Sequence, residues 1–355
     1  MDSRFDQLQG WVHEQVKQLG IDPSNLKQVV PLSDDASFRR YFRAEFFQPV
    51  DVALGQSQST LVVMDAPPDK EDSQPFIDIG RIMLAQGAPV PAVIASDLSL
   101  GFLLLEDFGD QLLLPLLTEE TVDTWYNRAM GGLNQLLVIP QGKDIPAYSR
   151  SKLLDEMLLF PEWFLGRYLS IDVPEAEQKL IHSTFELLLD SALEQPQCFV
   201  HRDYHSRNLM VMDDALGMID FQDAVWGPQT YDLVSLLKDC YVQWPRDRVI
   251  GWVKSYLQMN GVEVNDEAQF KQWVRWFDLM GAQRHIKVLG IFARLGLRDN
   301  KPNFFADLPM VLSYVLEVSS LYSELADFSA WLREKVVPVF LQKQPQGREL
   351  VGAFL

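Results

Sequence analysis

Two short segments constrain this chain more than any other part of it: His201-Arg202-Asp203-Tyr204-His205-Ser206-Arg207-Asn208, and shortly after it Met218-Ile219-Asp220-Phe221. Residues 209–212 are apolar and read as a strand. Residues 213–217, Asp-Asp-Ala-Leu-Gly, read as a turn, and residues 218–221 as the returning strand. Such a hairpin is symmetric about Asp214. It brings Asn208 and Asp220 to one open end, with Asp203 on the loop just before it. Phosphoryl transfer needs this set: a carboxylate to orient and deprotonate an attacking hydroxyl, and two hard oxygen ligands for magnesium. Asp203 is therefore the catalytic candidate, and Asn208 and Asp220 are the metal candidates.

Bulk properties exclude several alternatives. The chain has 355 residues, too many for one small core, and 47% of them are hydrophobic, which favours two well-packed lobes over disorder. A formal net charge of −18 argues against nucleic acid or an anionic membrane as partner. The two cysteines, Cys198 and Cys240, form no paired motif, which disfavours a disulfide scaffold or a cysteine zinc site and fits a cytoplasmic location. The first 20 residues mix charged and apolar types without an apolar h-region and read as an amphipathic helix. No apolar run reads as a membrane span; residues 103–117 come nearest, interrupted by Glu106, Asp107 and Asp110.

Along the chain, strand-like patterns come first. Residues 38–47 alternate, residues 60–64 are apolar, and residues 93–94 and 102–105 are short apolar runs, with a polar turn at 55–59. A helix is expected over 75–86, stopped by Gly87 and Pro89. After Asp107-Phe108-Gly109-Asp110 the pattern is helical, including a helix over 151–169, apart from the hairpin. Strands first and helices later predict an α+β architecture.

The pattern His-x-Asp-x-x-x-x-Asn at 201–208, Ile-Asp-Phe at 219–221, Gly227-Pro228 and Tyr231-Asp232-Leu233 resembles the aminoglycoside phosphotransferase and choline kinase superfamily. These are small-molecule relatives of the protein kinases, and the resemblance runs from about Leu26 to the C-terminal helices. It implies a two-lobed, protein-kinase-like fold. Residues 1–108 would form the small β-rich nucleotide-binding lobe, and 109–355 the larger, mostly helical lobe for catalysis and substrate. ATP and Mg2+ are the implied cofactors. Asp232 would brace the catalytic loop, and Glu106, Asp107 and Phe108 would meet adenine through main-chain atoms, with Val63 on a neighbouring strand. Ser33 to Tyr41 and Val63 to Pro68 further resemble a bacterial branch holding the anomeric kinases for N-acetylmuramate and N-acetylglucosamine of cell-wall recycling. That branch implies a small-molecule sugar and a nucleotide as partners.

The nucleotide side departs from the protein-kinase pattern. The loop at 33–37 contains no glycine, and Met64 stands where a strand lysine is expected. Ser33 and Ser37 offer hydroxyls to phosphate, and Arg39 and Arg40 follow the loop. Arg40, on one strand face with Phe38 and Phe42, is expected to point inward and grip phosphate in a fork. No Walker A or G-x-G-x-x-G motif is present, which disfavours P-loop and dinucleotide folds.

Acceptor candidates are His205 and Arg207 beside Asp203, Asp223 after the hairpin, Trp163 and Arg284. Trp163 lies in an aromatic stripe with Phe164 and Tyr168, a pattern more common in cores than in sugar sites. Arg284 shares helical spacing with Lys287, Arg294 and Arg298, and no acidic residue lies between Asp278 and Asp299. The lactyl carboxylate of muramate suits arginine, although solvated or ion-paired charges are the more ordinary explanation of such a stripe. A rival metal triad, His201, Asp203 and His205, leaves Asn208 and Asp220 without a role. Two alternatives stand beside the amino-sugar reading: a kinase for an aminoglycoside, choline or methylthioribose, and a degenerate kinase that only binds nucleotide or protein.

Overall fold

The computed structural model describes residues 2–34, 38–53, 56–213 and 215–354. They form two compact units. The first comprises Met1–Leu112 with Asn208–Asp223, and the second Leu113–Arg207 with Ala224–Leu355.

The first unit is a five-stranded antiparallel sheet in the order β1-β2-β3-β5-β4, with β1 Leu26–Asp34, β2 Arg40–Ala53, β3 Gln56–Asp65, β4 Val93–Asp97 and β5 Phe102–Glu106. Side chains on a strand alternate between faces. Phe42, Ala44 and Phe46 of β2, Leu61 and Val63 of β3, and Phe102 and Leu104 of β5 therefore make one apolar face. Helix α1 (Ser3–Gln18) covers it with Leu8, Trp11, Val12 and Val16. Its first turn is capped by the Asp2 carboxylate, which accepts from the N–H of Arg4 and of Phe5, each at 3.2 Å. Each such buried side chain contributes roughly 1.5–3 kcal/mol before entropy is charged. Of the residues expected to form a turn at 55–59, Gly55 lies outside the described residues and the rest begin β3, where Gln58 and Ser57 pair with Val50 and Asp51. Backbone pairing holds the polar β3 side of that hairpin end, while Val50 on the β2 side joins the core.

Helix α2 (Gln74–Ala85) stops before Gly87, which takes φ +77°. The hairpin of β7 (Leu209–Met212) and β8 (Ala215–Met218) groups with this first unit, whereas a boundary at 108 assigns it to the second. Main-chain bonds explain the grouping: Val211 N–H donates to Gln111 O and Met218 N–H to Pro89 O, both at 2.7 Å. Phe221 adds an apolar contact, its ring 4.7 Å from that of Phe76. The turn is also shorter than the sequence pattern implies. Asp213 adopts φ +49°, and β8 resumes at Ala215.

The second unit is helical around a two-stranded antiparallel ladder of β6 (Gln197–Val200) and β9 (Val225–Pro228). Its helices include α3 (Val122–Leu137), α4 (Arg150–Met157), α5 (Glu175–Glu194), α6 (Thr230–Leu237), α7 (Arg246–Met259), α8 (Glu267–Leu297) and α9 (Leu308–Leu321). Residues 151–169 are not one α-helix: α4 ends at Met157 and Phe160–Tyr168 winds as a π-helix. Pro161, at the second position of that π-helix, has no N–H for an α-helical bond. Helix α8 is buried nearly all round from Phe277 to Gly290, as expected of a central helix. Gly290 permits a close approach, since a Cβ there would lie 2.4 Å from the carbonyl carbon of Leu159. Pro302–Leu321, which contains α9, is long and apolar enough to cross a membrane, but 56% of its apolar 18-residue window is buried, as in a core helix.

Candidate active site

In the second unit, β6 leads directly into the loop that carries Asp203, and two buried aspartates fix that loop. Asp232 on α6 accepts from the N–H of His201 at 2.6 Å and of Arg202 at 2.9 Å. Asp239 accepts from Ser206 N–H at 3.0 Å and Ser206 Oγ at 2.5 Å, and from Tyr241 N–H at 3.1 Å. Asp232 matches the bracing role the resemblance implies. Asp239 carried no motif signal, since its partner lies 33 residues away. Burial first, then the charge of Asp203, pushes the Asp232 carboxyl up to about 7 against its two backbone donors. Arg202 takes φ +76°, a conformation costing about 1–3 kcal/mol that its surroundings must impose.

Those surroundings form a buried charge network. Glu156 of α4 pairs with Arg202 and, at 3.0 Å, with Lys287 of α8, and accepts from the Tyr148 hydroxyl. Lys287 Nζ also lies 3.1 Å from the Tyr231 hydroxyl. Burial works to raise the Asp203 carboxyl, but Lys287, His205, Arg202 and Arg284 outweigh it and hold it below the ordinary aspartate value. The carboxylate is thus kept ionised in low-dielectric surroundings. Sequence reading missed Glu156, and although it favoured a solvated or ion-paired face for Lys287, it did not place that ion pair beneath the loop.

In the first unit, the hairpin places Asn208 and Asp220 together as the spacing predicts. Ile219 N–H donates to Asn208 O at 3.0 Å, extending the ladder past the strand ends. Asn208 Nδ2 lies 3.5 Å from Asp220 Oδ2. Asp220 adopts φ +64° and accepts from Gln222 Nε2 at 2.7 Å. Its side chain is 41% exposed, so the amide and carboxylate oxygens fit a magnesium ion that retains water ligands.

On the strands, alternation separates the two arginines. Arg40 lies opposite Asp65 in the sheet and donates to it at 2.6 and 3.0 Å; its other partner is Asp2. Its guanidinium is therefore engaged on the α1 side, not offered to phosphate. Arg39 instead meets Glu71 at 3.5 Å and Asp220 at 3.8 Å. Val63 also faces α1, buried in the core, which leaves Val62 and Met64 on the opposite face. Ser33 is the penultimate residue of β1, and Ser37 lies outside the described residues. Glu106 N–H is bonded to Ala92 O at 2.9 Å, and Asp107 N–H to Gln58 Oε1 at 3.3 Å. The Asp107 carboxylate receives Arg43 at 2.7 Å. Phe108 packs its ring against Gly217, where a Cβ would lie 2.4 Å from it.

Comparison with known proteins decides the family. Residues 28–273 match the family model described as "Phosphotransferase enzyme family". The chain is 40% identical over 342 residues to the N-acetylmuramate/N-acetylglucosamine kinase of Pseudomonas putida, covering 94% of this chain and 97% of that one. The chain belongs to the phosphotransferase enzyme family. Its fold is shared by solved aminoglycoside phosphotransferases and choline kinases. A choline kinase from Cryptosporidium parvum superposes with a TM-score of 0.62 at 11% identity, covering 92% of this chain and 100% of that one. The APH(2")-IIa phosphotransferase in its streptomycin–ATP ternary complex superposes with a TM-score of 0.55 at 16% identity, covering 92% and 98%.

The acceptor candidates of this phosphotransferase do not stand alike. Arg207 is exposed and its guanidinium carbon lies 3.5 Å from the Tyr241 ring centroid. His205 meets the same ring edge-on at 5.5 Å. Burial lowers the His205 pKa below the usual histidine value, and Arg284 and Arg207 add to this against Asp239 and Asp203. Asp223 is exposed. Trp163 is buried in the π-helix, with Arg167 4.1 Å above its ring. Arg284, only 3% exposed, donates to Cys240 Sγ at 3.4 Å. The latter two are built into the unit's interior, and Arg284 acts on Asp203 through its field.

Proposed function

We propose that this enzyme uses ATP and magnesium to phosphorylate the anomeric hydroxyl of N-acetylmuramate and N-acetylglucosamine. The observation that carries the phosphoryl-transfer reading is the Asn208–Asp220 pair at the hairpin's open end, five residues along the chain from a braced, ionised Asp203. The amino-sugar reading is supported by the curated relative's name at 40% identity over nearly the whole chain.

In this reading Asp203 accepts a hydrogen bond from the anomeric hydroxyl, aims its oxygen at the γ-phosphorus and takes the proton as the new P–O bond forms. ADP carries away the electron pair of the broken bond. Asn208 and Asp220 hold magnesium, which when bound supplies neutralisation of phosphate charge. Asp232 and Asp239 fix the two ends of the loop, so the base arrives oriented rather than being ordered at the moment of reaction. His205 and Arg207 contact the sugar, Arg207 suiting the muramate carboxylate, and Asp223 contacts sugar hydroxyls. Main-chain atoms of Glu106 to Phe108 other than the Glu106 and Asp107 N–H groups, which are already bonded, receive adenine. The protein is expected to work in the cytoplasm.

A nucleotide-coupled turnover screen tests this. It should include N-acetylated amino sugars, choline, methylthioribose and aminoglycosides. Turnover concentrated on the two amino sugars is expected. Turnover confined to amines or antibiotics overturns the substrate, and nucleotide binding without turnover of any acceptor overturns the enzymatic reading.

A further inference from the structure

The β3 strand carries no lysine: Met64, fully buried, occupies the position, paired with Tyr41 of β2 and Leu103 of β5. Among the described residues, the nearby cations of β1, β2 and α1 are engaged elsewhere, Lys27 with Glu45 at 3.0 Å. Arg40 and Arg4 hold the buried Asp65, at 2.6 Å each, and Arg43 holds Asp107 and Asp110 at 2.7 and 2.8 Å. Arg39 is different. Its side chain is 10% exposed, its Nη1 lies 3.8 Å from Asp220 Oδ1, and its Nη2 lies 3.5 Å from Glu71 Oε2. Glu71 is in turn oriented by the Phe38 N–H, which donates to its Oε1 at 3.1 Å. Glu71 sits three residues before α2 begins at Gln74.

We propose that Arg39, oriented by Glu71, is the cation that grips the nucleotide's phosphates in place of a β3 lysine. The inference rests on the phosphotransferase reading above, in which Asp220 binds the magnesium of a magnesium–nucleotide complex. A metal ligand stands one ion away from the phosphate oxygens that share the ion. A guanidinium 3.8 Å from Asp220 therefore lies within a phosphate's reach. The arrangement preserves the physical logic of a strand lysine paired to an acid near the next helix: a cation held by a carboxylate stays directed without being neutralised by a looser partner. Arginine adds a fork that can meet two phosphate oxygens at once.

Isothermal titration of the full chain with Mg-ATP, and separately with adenosine, discriminates phosphate binding from a structural role. Arg39→Gln should weaken Mg-ATP by about tenfold or more, the loss expected for a charge-assisted hydrogen bond, while leaving adenosine unchanged. Arg39→Lys, which keeps the charge and serves if the neutral variant folds poorly, should fall between that variant and wild type. Glu71→Gln should shift Mg-ATP in the same direction by less. Unchanged Mg-ATP affinity in the Arg39 variants, or equal loss for Mg-ATP and adenosine, overturns the assignment while wild-type turnover of amino sugar leaves the kinase reading intact. Failure of the wild type itself to bind Mg-ATP overturns that reading instead.

Discussion

Replacing Lys287 with methionine should destabilise the second unit and loosen control of Asp203. Methionine keeps much of the chain length but removes the ammonium. Lys287 is 6% exposed and pairs with Glu156 at 3.0 Å, with little solvent to screen either group. Breaking a buried pair from one side costs about 3–5 kcal/mol. Glu156 retains Arg202 and the Tyr148 hydroxyl, so the low end, about 3 kcal/mol, is expected. Burial opposes the charge on both partners. Even so, Lys287 and Arg202 hold Glu156 below its ordinary 4.5, and Tyr231 and Glu156 hold Lys287 above its ordinary 10.5. A depressed carboxyl stabilises the fold above its unfolded value and loses this as pH falls; a raised amine stabilises below its unfolded value and loses this as pH rises. The pair therefore contributes fully between pH 4.5 and 10.5, and urea unfolding at pH 7 captures it whole. Unfolding of wild type, Lys287→Met, Glu156→Gln and the double variant gives the coupling energy. The acid limb of kcat/KM should also move to higher pH in Lys287→Met, because Lys287 leads the charges that hold Asp203 down against burial. A loss under about 1 kcal/mol with no coupling, and an unmoved acid limb, would refute the network's assigned role.

Asp203→Asn should lower kcat by about a hundredfold or more with little change in nucleotide affinity, as checked by steady-state kinetics and calorimetry. Asn208→Ala and Asp220→Ala should each raise the magnesium concentration needed for half-maximal rate. The larger effect is expected for Asp220, which brings charge to the ion. Gly217→Ala, whose methyl would sit 2.4 Å from the Phe108 ring, should lower stability by about 1–3 kcal/mol through overpacking, seen as a lower denaturation midpoint. Asp239→Ala strips the Ser206 and Tyr241 N–H groups of their acceptor. It should cost about 1–3 kcal/mol for each buried donor left unpaired and reduce kcat, measured by unfolding and turnover.

The hairpin was legible because its information is local: two apolar runs, a turn between them, and polar residues at matched positions. Strands β2 to β5 and the helical character of the later chain were legible for the same reason, from period and punctuation, whereas β1 and the sheet's antiparallel order were not. Long-range partnerships were not. Glu156 reaches Lys287 across more than a hundred residues, and both look like ordinary helix charges until α8 proves to be buried on every side. Strand parity told that Arg39 and Arg40 face opposite ways but not which face α1 covers. Arg40 and Val63 consequently fall on the α1 side, and Arg39 turns toward Asp220. The π-helix at Phe160–Tyr168 kept the aromatic spacing of an α-helix while changing its hydrogen bonding, so only Pro161 hinted at the break.

The central claim is transfer of phosphate to an anomeric oxygen. Phosphorus NMR of the product from N-acetylmuramate and ATP tests it most directly, with the 1-methyl glycoside, which has no free anomeric hydroxyl, run in parallel. A sugar 1-phosphate from the free sugar and no product from the glycoside are predicted. Phosphorylation of the glycoside, or a 6-phosphate from the free sugar, would contradict the claim.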